Sequence, residues 1–464
     1  MKIWQLSTIG LAVLLTACTN NVNLQSDVAI PQSYSQTKET RDTSAITNFA
    51  TWWLNWHNPE LNRLISLGLE HNKDLALAKA CLNEIGANYD LAKANRRPQV
   101  GASAKAMGAG SNVEAGNYTP DSTTNYGLYG GITASWELDI FGAKTADKDA
   151  AYHTMLKTQQ EMYGTQLLIT ANIAQAYFTA QAYKQQKTLV SQQVASLKQL
   201  LSYVQGRFQA GKVTSFEVQQ VEKQLAATQA QLEVLQANVD TQVRNLAILT
   251  GQVPQSFSVD LTTNSLASLP AVPYAGQPSD LLDRRPDLQA AYEQVQAAAA
   301  KLASAKADLY PRFTIDFSGF LGRIQLSNQM DYLTGSLASG GIGVSLPIFT
   351  AGRIKANINA ANARLQQALI SYDKTLLQAL ADVDNAYQMQ YALEQQSKNL
   401  TQAVKLAQKQ VTDAKLMYQY GAKTLDQVLN TIIDSLNYQT QLLNSQLQQA
   451  INMLSLYKAL GGGW

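Results

Sequence analysis

The sequence predicts a mixed α and β membrane protein in which a few amphipathic strands are combined with very long helices. Three observations lead to this prediction. The 464 residues are 46% hydrophobic and only 15% charged, whereas a soluble domain is typically about 25% charged. The 11 prolines leave two long gaps, one between Pro120 and Pro254 and one after Pro347. Segments in which apolar and polar residues alternate precede the long helical pattern of each half.

The amino-acid composition excludes several classes of protein. Lys plus Arg number 36 and Asp plus Glu 34, giving a net charge of +2, so a nucleic-acid partner is not expected. Two cysteines are too few for a disulfide framework or an iron–sulfur site. The three histidines, His57, His71 and His153, lack metal-ligand spacing. With no catalytic constellation in the sequence, no enzyme activity, metal site or cofactor is predicted.

Residues 1–17 have the pattern of a lipoprotein signal peptide. Lys2 precedes an apolar run over residues 9–15 that is too short to span a bilayer. The run ends in Leu-Thr-Ala-Cys, which resembles the bacterial lipobox, so Cys18 is predicted to be acylated and to begin the mature chain. Thr19, rather than an acid, follows Cys18, which predicts sorting to the outer membrane. The alternative is an ordinary signal peptide that happens to contain a cysteine.

The rest of the chain contains an internal duplication. Residues recur in the same order in both halves, and the pairs include Asp74 and Asp287, Lys93 and Lys306, Pro98 and Pro311, Phe141 and Phe349, Gly211 and Gly421, and Thr214 and Thr424. The unit is far longer than a solenoid repeat. The predicted domains are the signal peptide (1–17), an acylated N-terminal packing segment (18–59), a first repeat (60–265) and a second repeat (266–464).

Each repeat predicts two long helices. The proline-free stretches are rich in Ala, Gln, Leu and Lys, which favour helix. Residues 143–203 and 354–418 form the longer helices, and residues 214–249 and 424–460 follow them. Gly211 and Gly421 interrupt the pattern where left-handed turn residues end a helix. Helices of this length are typical of coiled packing rather than of a compact globule.

Four amphipathic strands precede the long helices. In residues 126–141, Leu128, Ile132 and Trp136 share one face, while polar residues such as Thr133 and Ser135 share the other. The same alternation occurs in residues 313–321 and 342–348, and more weakly in residues 100–106. The polar and glycine-rich residues 108–125 and 324–340 are predicted to be the loops between strands. One explanation is a sheet half-buried on a soluble core.

A transmembrane barrel explains the strands better. Its apolar residues face lipid and its polar residues face a lumen. Four strands cannot close a barrel, and an open edge is not tolerated in lipid. The smallest solution is an oligomer that pools its strands, and three copies contribute twelve.

Several short motifs are spread along the chain. They are Ser-Trp-Glu-Leu-Asp-Ile-Phe-Gly at 135–142, Asp-Arg-Arg-Pro-Asp-Leu at 283–288, Leu-Tyr-Pro-Arg-Phe at 309–313, Leu-Pro-Ile-Phe at 346–349, Gly-Arg at 352–353 and Leu-Gly-Gly-Gly-Trp at 460–464. Together these motifs resemble the TolC-type outer membrane factors, in particular their lipid-anchored OprM/NodT branch. The resemblance implies a homotrimer whose transmembrane β-barrel, with four strands per chain, continues into a long periplasmic α-helical coiled-coil tunnel. It also implies a periplasmic adaptor and an inner-membrane pump as partners, with the trimer as the exit duct.

The resemblance further implies a gate at the helix tips. In the family, the tips meet at the periplasmic end of the tunnel and polar links close it. The matching residues are Glu217 on the first tip and Tyr418 and Lys423 on the second, and a carboxylate accepts charge-assisted bonds from a phenol and an ammonium group. The alternative is that all three are solvated, because exposed ion pairs contribute only ~0–1 kcal/mol.

The second tip departs from the family pattern. Where the family often carries acids around a constriction, this chain has Gln427 and Asn430. Asp434 lies on the same helical stripe, one heptad after Gln427. Three copies of Asp434 could form a ring that attracts cations, or each could be an ordinary exposed aspartate.

Three further features receive structural interpretations. Pro286 and Asp287 suit the first turn of a helix, where proline and an acid are favoured. Trp52, Trp53 and Trp56 are expected to pack on the helices. Cys81 is expected to be a small buried residue.

The function predicted from these features is the outer-membrane channel of a tripartite efflux system for drugs or other small toxic compounds. Alternatives are a duct for protein secretion or metal efflux, and a structural lipoprotein that spans the envelope without conducting. The polar lumen face of the strands favours a channel, because a tether needs no barrel.

Overall fold

The computed structural model describes residues 28–34, 49–111, 123–274, 276–325 and 333–463. Cys18 and residues 1–17 lie outside the described residues. Two compact units form. One comprises Glu84–Lys157 and Ala291–Asp373 and carries the sheet, while the other comprises Val28–Asn83, Thr158–Ala290 and Lys374–Trp464.

The helices and strands follow one another in the same order twice. A 3-10 helix, Phe49–Trp56, and helix α1, Pro59–His71, come first. The first repeat contains α2 (Lys73–Ala94), β1 (Gln99–Ser111), β2 (Thr123–Leu138), α3 (Ala143–Gln209) and α4 (Ser215–Leu249). After a 3-10 turn, Pro278–Asp280, and the short helix α5 (Leu281–Arg284), the second repeat contains α6 (Pro286–Ala307), β3 (Arg312–Gln325), β4 (Leu333–Ser345), α7 (Arg353–Gln419) and α8 (Leu425–Ala459). Corresponding helices have equal lengths of 22, 67 and 35 residues.

The same glycines shape the backbone in both repeats. Three pairs have a positive φ, namely Gly142 and Gly352, Gly211 and Gly421, and Gly251 and Gly461. A Cβ atom on Gly251 would lie 2.3 Å from the carbonyl oxygen of His71, and one on Gly461 would lie 2.6 Å from that of Arg284. Only glycine fits such a position, so the close approach that ends each repeat is duplicated as well. None of the described helices is apolar over a stretch long enough to cross a bilayer.

The four strands form one antiparallel sheet in the order β1-β2-β3-β4. Cross-strand neighbours on one face include Val100, Ala134 and Phe317, whereas Thr133 pairs with Ser318 on the other face. The predicted alternation of apolar and polar faces is therefore confirmed within the strands, but β4 ends at Ser345, so residues 346–348 of the predicted segment 342–348 lie outside it. Most side chains on both faces are exposed in the single chain, including Leu128, Leu321 and Ile342.

β1, β3 and β4 are longer than expected and β2 begins earlier, so the predicted loops 108–125 and 324–340 are too long. β1 and β2 extend to Ser111 and from Thr123, and β4 already begins at Leu333. The glycines and serines in these segments join the ladder because pairing with a neighbouring strand outweighs their weak intrinsic preference. β2, by contrast, ends at Leu138, before Phe141, because the Asp139 carboxylate accepts from the backbone N–H groups of Lys144 and Thr145 and turns the chain into α3.

The predicted packing of the tryptophans is confirmed. Trp52, Trp53 and Trp56 are buried. Trp52 stacks on Tyr457 with ring centroids 5.3 Å apart, and Trp56 lies 5.4 Å from Phe178. The 3-10 helix is thus held against the long helices by aromatic contacts.

The prediction for Cys81 is wrong. Cys81 is exposed, because α2 buries only Leu75 and leaves its alanine-rich surface open in the single chain. A small apolar residue was therefore a poor indicator of burial on this helix.

Candidate functional site

The helix tips are built by two matching turns. The N–H of Gly211 donates to Phe208 O and that of Lys212 to Arg207 O, both at 2.9 Å. The N–H groups of Gly421 and Ala422 make the equivalent bonds at the end of α7. These are Schellman turns, in which glycine takes the left-handed conformation. The prediction that Gly211 and Gly421 are left-handed turn residues is confirmed, with φ of 67° and 77°.

Each turn leads into a capped helix. Thr214 begins α4 and Thr424 begins α8, and both head a capping box. The partner three residues later is Glu217 in the first repeat and Gln427 in the second. The tip conformations are therefore specified locally, by glycine, threonine and an acid or amide at fixed spacing.

An apolar core joins the two hairpins near their tips. It contains Leu197, Leu200, Val204, Val221, Ala414, Tyr418, Leu425, Val428, Leu429 and Ile432. Residues of all four long helices contribute, so separating the hairpins exposes this surface to water. Burial of apolar surface favours the packed arrangement by about 25 cal/mol per Å².

Tyr418 is the polar residue at the centre of this core. Its side chain is 5% exposed, and its hydroxyl has no hydrogen-bond partner among the described residues. The Arg207 guanidinium lies 5.2 Å from the Tyr418 ring centroid and 5.9 Å from that of Tyr203. Burial raises the pKa of Tyr418, and the nearby Arg207 opposes this shift. Because Arg207 belongs to α3 and Tyr418 to α7, this cation–π contact joins the two hairpins.

Two of the predicted latch residues, Glu217 and Tyr418, interact electrostatically, but no described hydrogen bond links the three latch residues in the single chain. The Glu217 carboxylate accepts from the Thr214 backbone N–H at 2.9 Å. Its charge contributes to the raised pKa of Tyr418, but no described hydrogen bond joins Glu217 to Tyr418 or to the half-buried Lys423. A latch among these three residues stays a prediction.

Gln427, Asn430 and Asp434 are all exposed. Their spacing along α8 gives them one helical face. The carboxylate of the preceding Asp426 accepts from the Gln220 amide at 3.0 Å and so bridges the hairpins. Whether Asp434 lines a lumen stays a prediction.

Sequence reasoning missed most of the polar contacts between the hairpins. Lys415 Nζ donates to Ser196 Oγ at 2.6 Å, and Gln193 donates to Ile432 O at 3.3 Å. Burial lowers the pKa of Lys415. The only signal in the sequence was the spacing of Tyr203 and Arg207, which puts them one turn apart on a helix.

A second polar cluster lies at the other end of the hairpins. Pro286 begins α6 and Asp287 lies in its first turn, as predicted. The unexpected member is Arg285, which is 8% exposed and donates to the Asp287 carboxylate, the Asp382 carboxylate and Ala459 O. Around these residues, a groove of 710 Å³ runs between α3 on one side and α7 and α8 on the other.

The first repeat contains a matching groove. It is lined by Asn172, Gln175, Ala176, Thr179, Gln242, Asn245, Ile248 and Leu249. Each of these has its counterpart in the second groove, which is lined by Asp382, Asn385, Ala386, Met389, Asn452, Ser455, Lys458 and Ala459. Within the described residues, no group of three or more metal-ligating side chains could hold a metal ion.

Comparison with known proteins identifies similar chains. The family model described as outer membrane efflux protein matches residues 64–252 and 277–462. The cation efflux system protein CusC of Escherichia coli O6:H1 is 28% identical over 466 residues, which cover 98% of this chain and 97% of CusC. The pyoverdine export outer membrane protein OpmQ of Pseudomonas putida is 29% identical over 470 residues, which cover 99% and 97%. The solved structure of the outer-membrane channel OprN superposes with a TM-score of 0.79 at 25% identity, covering 94% of this chain and 98% of OprN.

Proposed function

The chain belongs to the outer membrane efflux protein family, whose model matches both of its repeats, and from this premise we propose that it forms the outer-membrane channel of a tripartite efflux system. An inner-membrane pump supplies the energy, a periplasmic adaptor links the pump to the channel, and the channel gives passive exit. The observation that carries the proposal is the union, in one chain, of a sheet with an apolar and a polar face and two hairpins with 67-residue helices.

The sheet supports a barrel made from several copies. Its outer strands, β1 and β4, each have one neighbour in the chain, and a strand edge in lipid must be paired. Exposed Leu128, Leu321 and Ile342 share the apolar face that suits lipid, while Ser318, Ser339 and Thr133 share the polar face that suits water. We propose a homotrimer, in which twelve strands close the barrel.

The grooves of the two repeats support a head-to-tail contact between copies. In the second repeat, the groove is walled by α3 residues, Leu167 among them. In the first repeat, the matching groove has residues of α3 and α4 alone. The duplication relates the α3 segment at Leu167, which walls the second groove, to the α7 segment at Leu377. We propose that α7 of a neighbouring copy closes the first groove in the same way.

Burial supports the same arrangement. Leu167 is 7% exposed, whereas Leu377, its counterpart in the second repeat, is 56% exposed. Ile248, in the first groove, is 63% exposed. Two exposed apolar residues at positions related by the duplication are therefore proposed to meet across the interface between copies. Such a heterologous contact generates a ring when its rotation closes.

A cross-linking experiment tests this arrangement. In a Cys81→Ser background, the variant with Leu377→Cys and Ile248→Cys is expected to give covalent dimers and trimers with a short bis-maleimide. Each single-cysteine variant gives monomers only, because the contact joins two different surfaces. Replacing Leu377→Cys by Leu77→Cys, also at an exposed leucine, is the matched control. Monomers from the double variant would contradict the proposed interface.

The hairpin tips are proposed as the periplasmic gate and as the docking site of the adaptor. Contacts between the hairpins at Arg207 and Tyr418, Gln220 and Asp426 support a closed gate in this chain. Tyr420 and Phe216, which are 81% and 65% exposed, give the tips apolar side chains for a partner. Phe216→Asp and Tyr420→Asp are expected to reduce co-purification of the adaptor without affecting trimer assembly.

Acylation of Cys18 is proposed as the anchor to outer-membrane lipid. Two or more acyl chains hold a protein stably on a bilayer. Mass spectrometry of the purified mature chain is expected to find a lipid-modified N-terminal cysteine, and Cys18→Ala is expected to abolish it. An unmodified cysteine within a longer processed chain would favour an ordinary signal peptide.

The decisive experiment is conductance. Purified protein is expected to form trimers that conduct ions in planar bilayers. Trimers that never conduct would favour the structural lipoprotein instead. The cargo is a separate proposal, since the names of CusC and OpmQ refer to cations and pyoverdine. Drugs or other small toxic compounds are tested by comparing the susceptibility of a deletion strain to antibiotics, detergents and metal ions.

A further inference from the structure

The far end of each hairpin is tied to the start of the helix that opens the same repeat, α2 in the first repeat and α6 in the second. In the first repeat, Asn72 Nδ2 donates to Leu249 O, at the end of α4, at 2.8 Å. In the second repeat, Arg285 Nη1 donates to Ala459 O, at the end of α8, at 3.2 Å. The two carbonyls are counterparts in the duplication, so Asn72 and Arg285 make equivalent hydrogen bonds with different side chains.

The two ties differ in what else they hold. The Asn72 side chain caps α2 by accepting from Leu75 N at 3.0 Å, and none of its described hydrogen bonds reaches α3. Arg285 also binds Asp382, on α7, at 3.3 Å, as well as Asp287, at 2.7 Å. The counterpart of Asp382 in the first repeat is the uncharged Asn172. A single guanidinium therefore joins both legs of the second hairpin, whereas Asn72 reaches only α4 of the first hairpin, whose α3 is held separately by the hydrogen bond from Asn58 to Tyr177.

From this difference we propose that the Arg285 cluster is a clamp that holds the second hairpin, α7 with α8, in its closed position. Asp382 and the α7 end at Gln419 are about 55 Å apart along the helix, at 1.5 Å per residue. Long helices of this kind act as levers, so a small change of angle between α7 and α8 at the clamp moves their tip by much more. Release of the clamp frees the tip that carries Tyr418, Lys423 and Asp434, while the first tip keeps its tie.

The clamp consists of ion pairs in which the arginine is buried and the two carboxylates are partly exposed. Arg285 is 8% exposed, while the side chains of Asp287 and Asp382 are 50% and 36% exposed. Bonds to a charged partner are stronger than neutral ones, and a buried guanidinium left without its carboxylates is costly. The clamp is thus a stronger tie than the amide of Asn72, and it depends on charge.

The variant Arg285→Asn gives the second repeat the same residue, asparagine, that makes the tie in the first repeat at Asn72. An asparagine before a helix-starting proline is already used in this chain, because Asn58 precedes Pro59 and caps α1 by accepting from Leu61 N. Asp382→Asn removes the negative charge that Arg285 contacts on α7 and leaves the ion pair of Arg285 with Asp287 in place. Asp413→Asn removes an exposed carboxylate from the same helix and is the matched control.

Hydrogen exchange of the full-length protein, followed by mass spectrometry, tests the clamp. Exchange reports local opening of helices. Arg285→Asn and Asp382→Asn are expected to speed exchange in residues 415–430 about tenfold, as for the loss of one charge-assisted bond. Residues 205–220, the counterpart tip, are expected to be accelerated less than residues 415–430 in every variant, because they share the apolar core but are not held by the clamp. The double variant is expected to match the single variants, because residues of one network are not additive.

Two results would overturn the clamp. One is unchanged exchange at residues 415–430 in both single variants. The other is equal acceleration at both tips, which indicates a general loss of stability. The clamp depends on the proposed duct only for its meaning as a gate element, and single-channel conductance of the same variants tests that separately. Faster exchange at residues 415–430 alone, in a protein that never forms a conducting trimer, would refute the proposed channel and still support the clamp.

Discussion

Arg207→Gln is the substitution that most directly tests how the tips are held together. The guanidinium lies over two rings, and only one of them, Tyr418, belongs to the other hairpin. Gln keeps much of the length of the side chain and removes the positive charge. The packing of Tyr418 against Tyr203, with ring centroids 5.9 Å apart, is left in place.

The expected effect follows from the cation–π contact that is lost between hairpins. A contact with a buried ring is worth about 1 kcal/mol, between the values for exposed and desolvated pairs. If each chain opens independently, the ratio of open to closed tips rises about fivefold. If the three proposed copies open together, the loss is about 3 kcal/mol and the ratio rises about 100-fold, since 1.4 kcal/mol is a factor of ten.

Single-channel recording in planar bilayers measures this ratio as open probability. Arg207→Lys is expected to lie between Gln and wild type, because it keeps the charge but loses the planar stacking. Arg244→Gln is the control, because Arg244 is exposed and its hydrogen bond within the described part of the chain is to Thr241 on its own helix. Wild-type open probability in assembled Arg207→Gln trimers would refute the reasoning. An equal increase in Arg244→Gln would show that the effect is one of charge along the ion path.

Three other predictions concern the same helices. Tyr418→Phe combined with Lys423→Ser is expected to raise single-channel conductance, and wild-type conductance would remove the latch assignment. Burial lowers the pKa of Lys415 in the folded state, so between that lowered pKa and the ordinary lysine value of about 10.4 the unfolded state binds more protons than the folded state. Thermal stability is therefore expected to rise with pH over this range. Lys415→Met is expected to abolish the rise. Gly251→Ala should lower the melting temperature more than Gly211→Ala, because both have positive φ but only Gly251 faces a carbonyl oxygen at 2.3 Å; equal losses would indicate that backbone strain alone matters.

The elements that local pattern controls could be predicted from the sequence. Strand alternation has a period of two, so the face that carries Leu128 and Ile132 was readable before any pairing was known. Helix ends at Gly211 and Gly421 were readable because a left-handed turn residue has few alternatives to glycine. The strand ends were not readable at residues 108–111 and 333–340, because pairing with another strand, not local preference, keeps these residues extended.

The side chains that join separate helices could not be predicted in this way. Arg207 and Tyr418 lie in different hairpins, and Arg285 meets Asp382 and Ala459 from distant parts of the chain. Nothing in local spacing says which of several arginines faces which helix. The duplication itself held a usable signal, because aligning Gly251 with Gly461 also aligns His71 with Arg284, and so Asn72 with Arg285.

The differences between the two repeats carry more functional information than their similarity. In the proposed trimer, six repeats form one tunnel, which requires equal helix lengths but leaves the side chains free to diverge. Phe208 is 46% exposed, whereas its counterpart Tyr418 is 5% exposed and lies in the core between the hairpins. Ser215 is exposed at the start of α4, while its counterpart Leu425 is buried. The second tip therefore buries two side chains in the shared core at positions where the counterparts in the first tip are exposed, although Val204 and Val221 of the first hairpin also belong to that core. A hairpin that is held at its tip by apolar packing and at its far end by an ionic clamp has two equilibria that a partner can shift, whereas its twin has one.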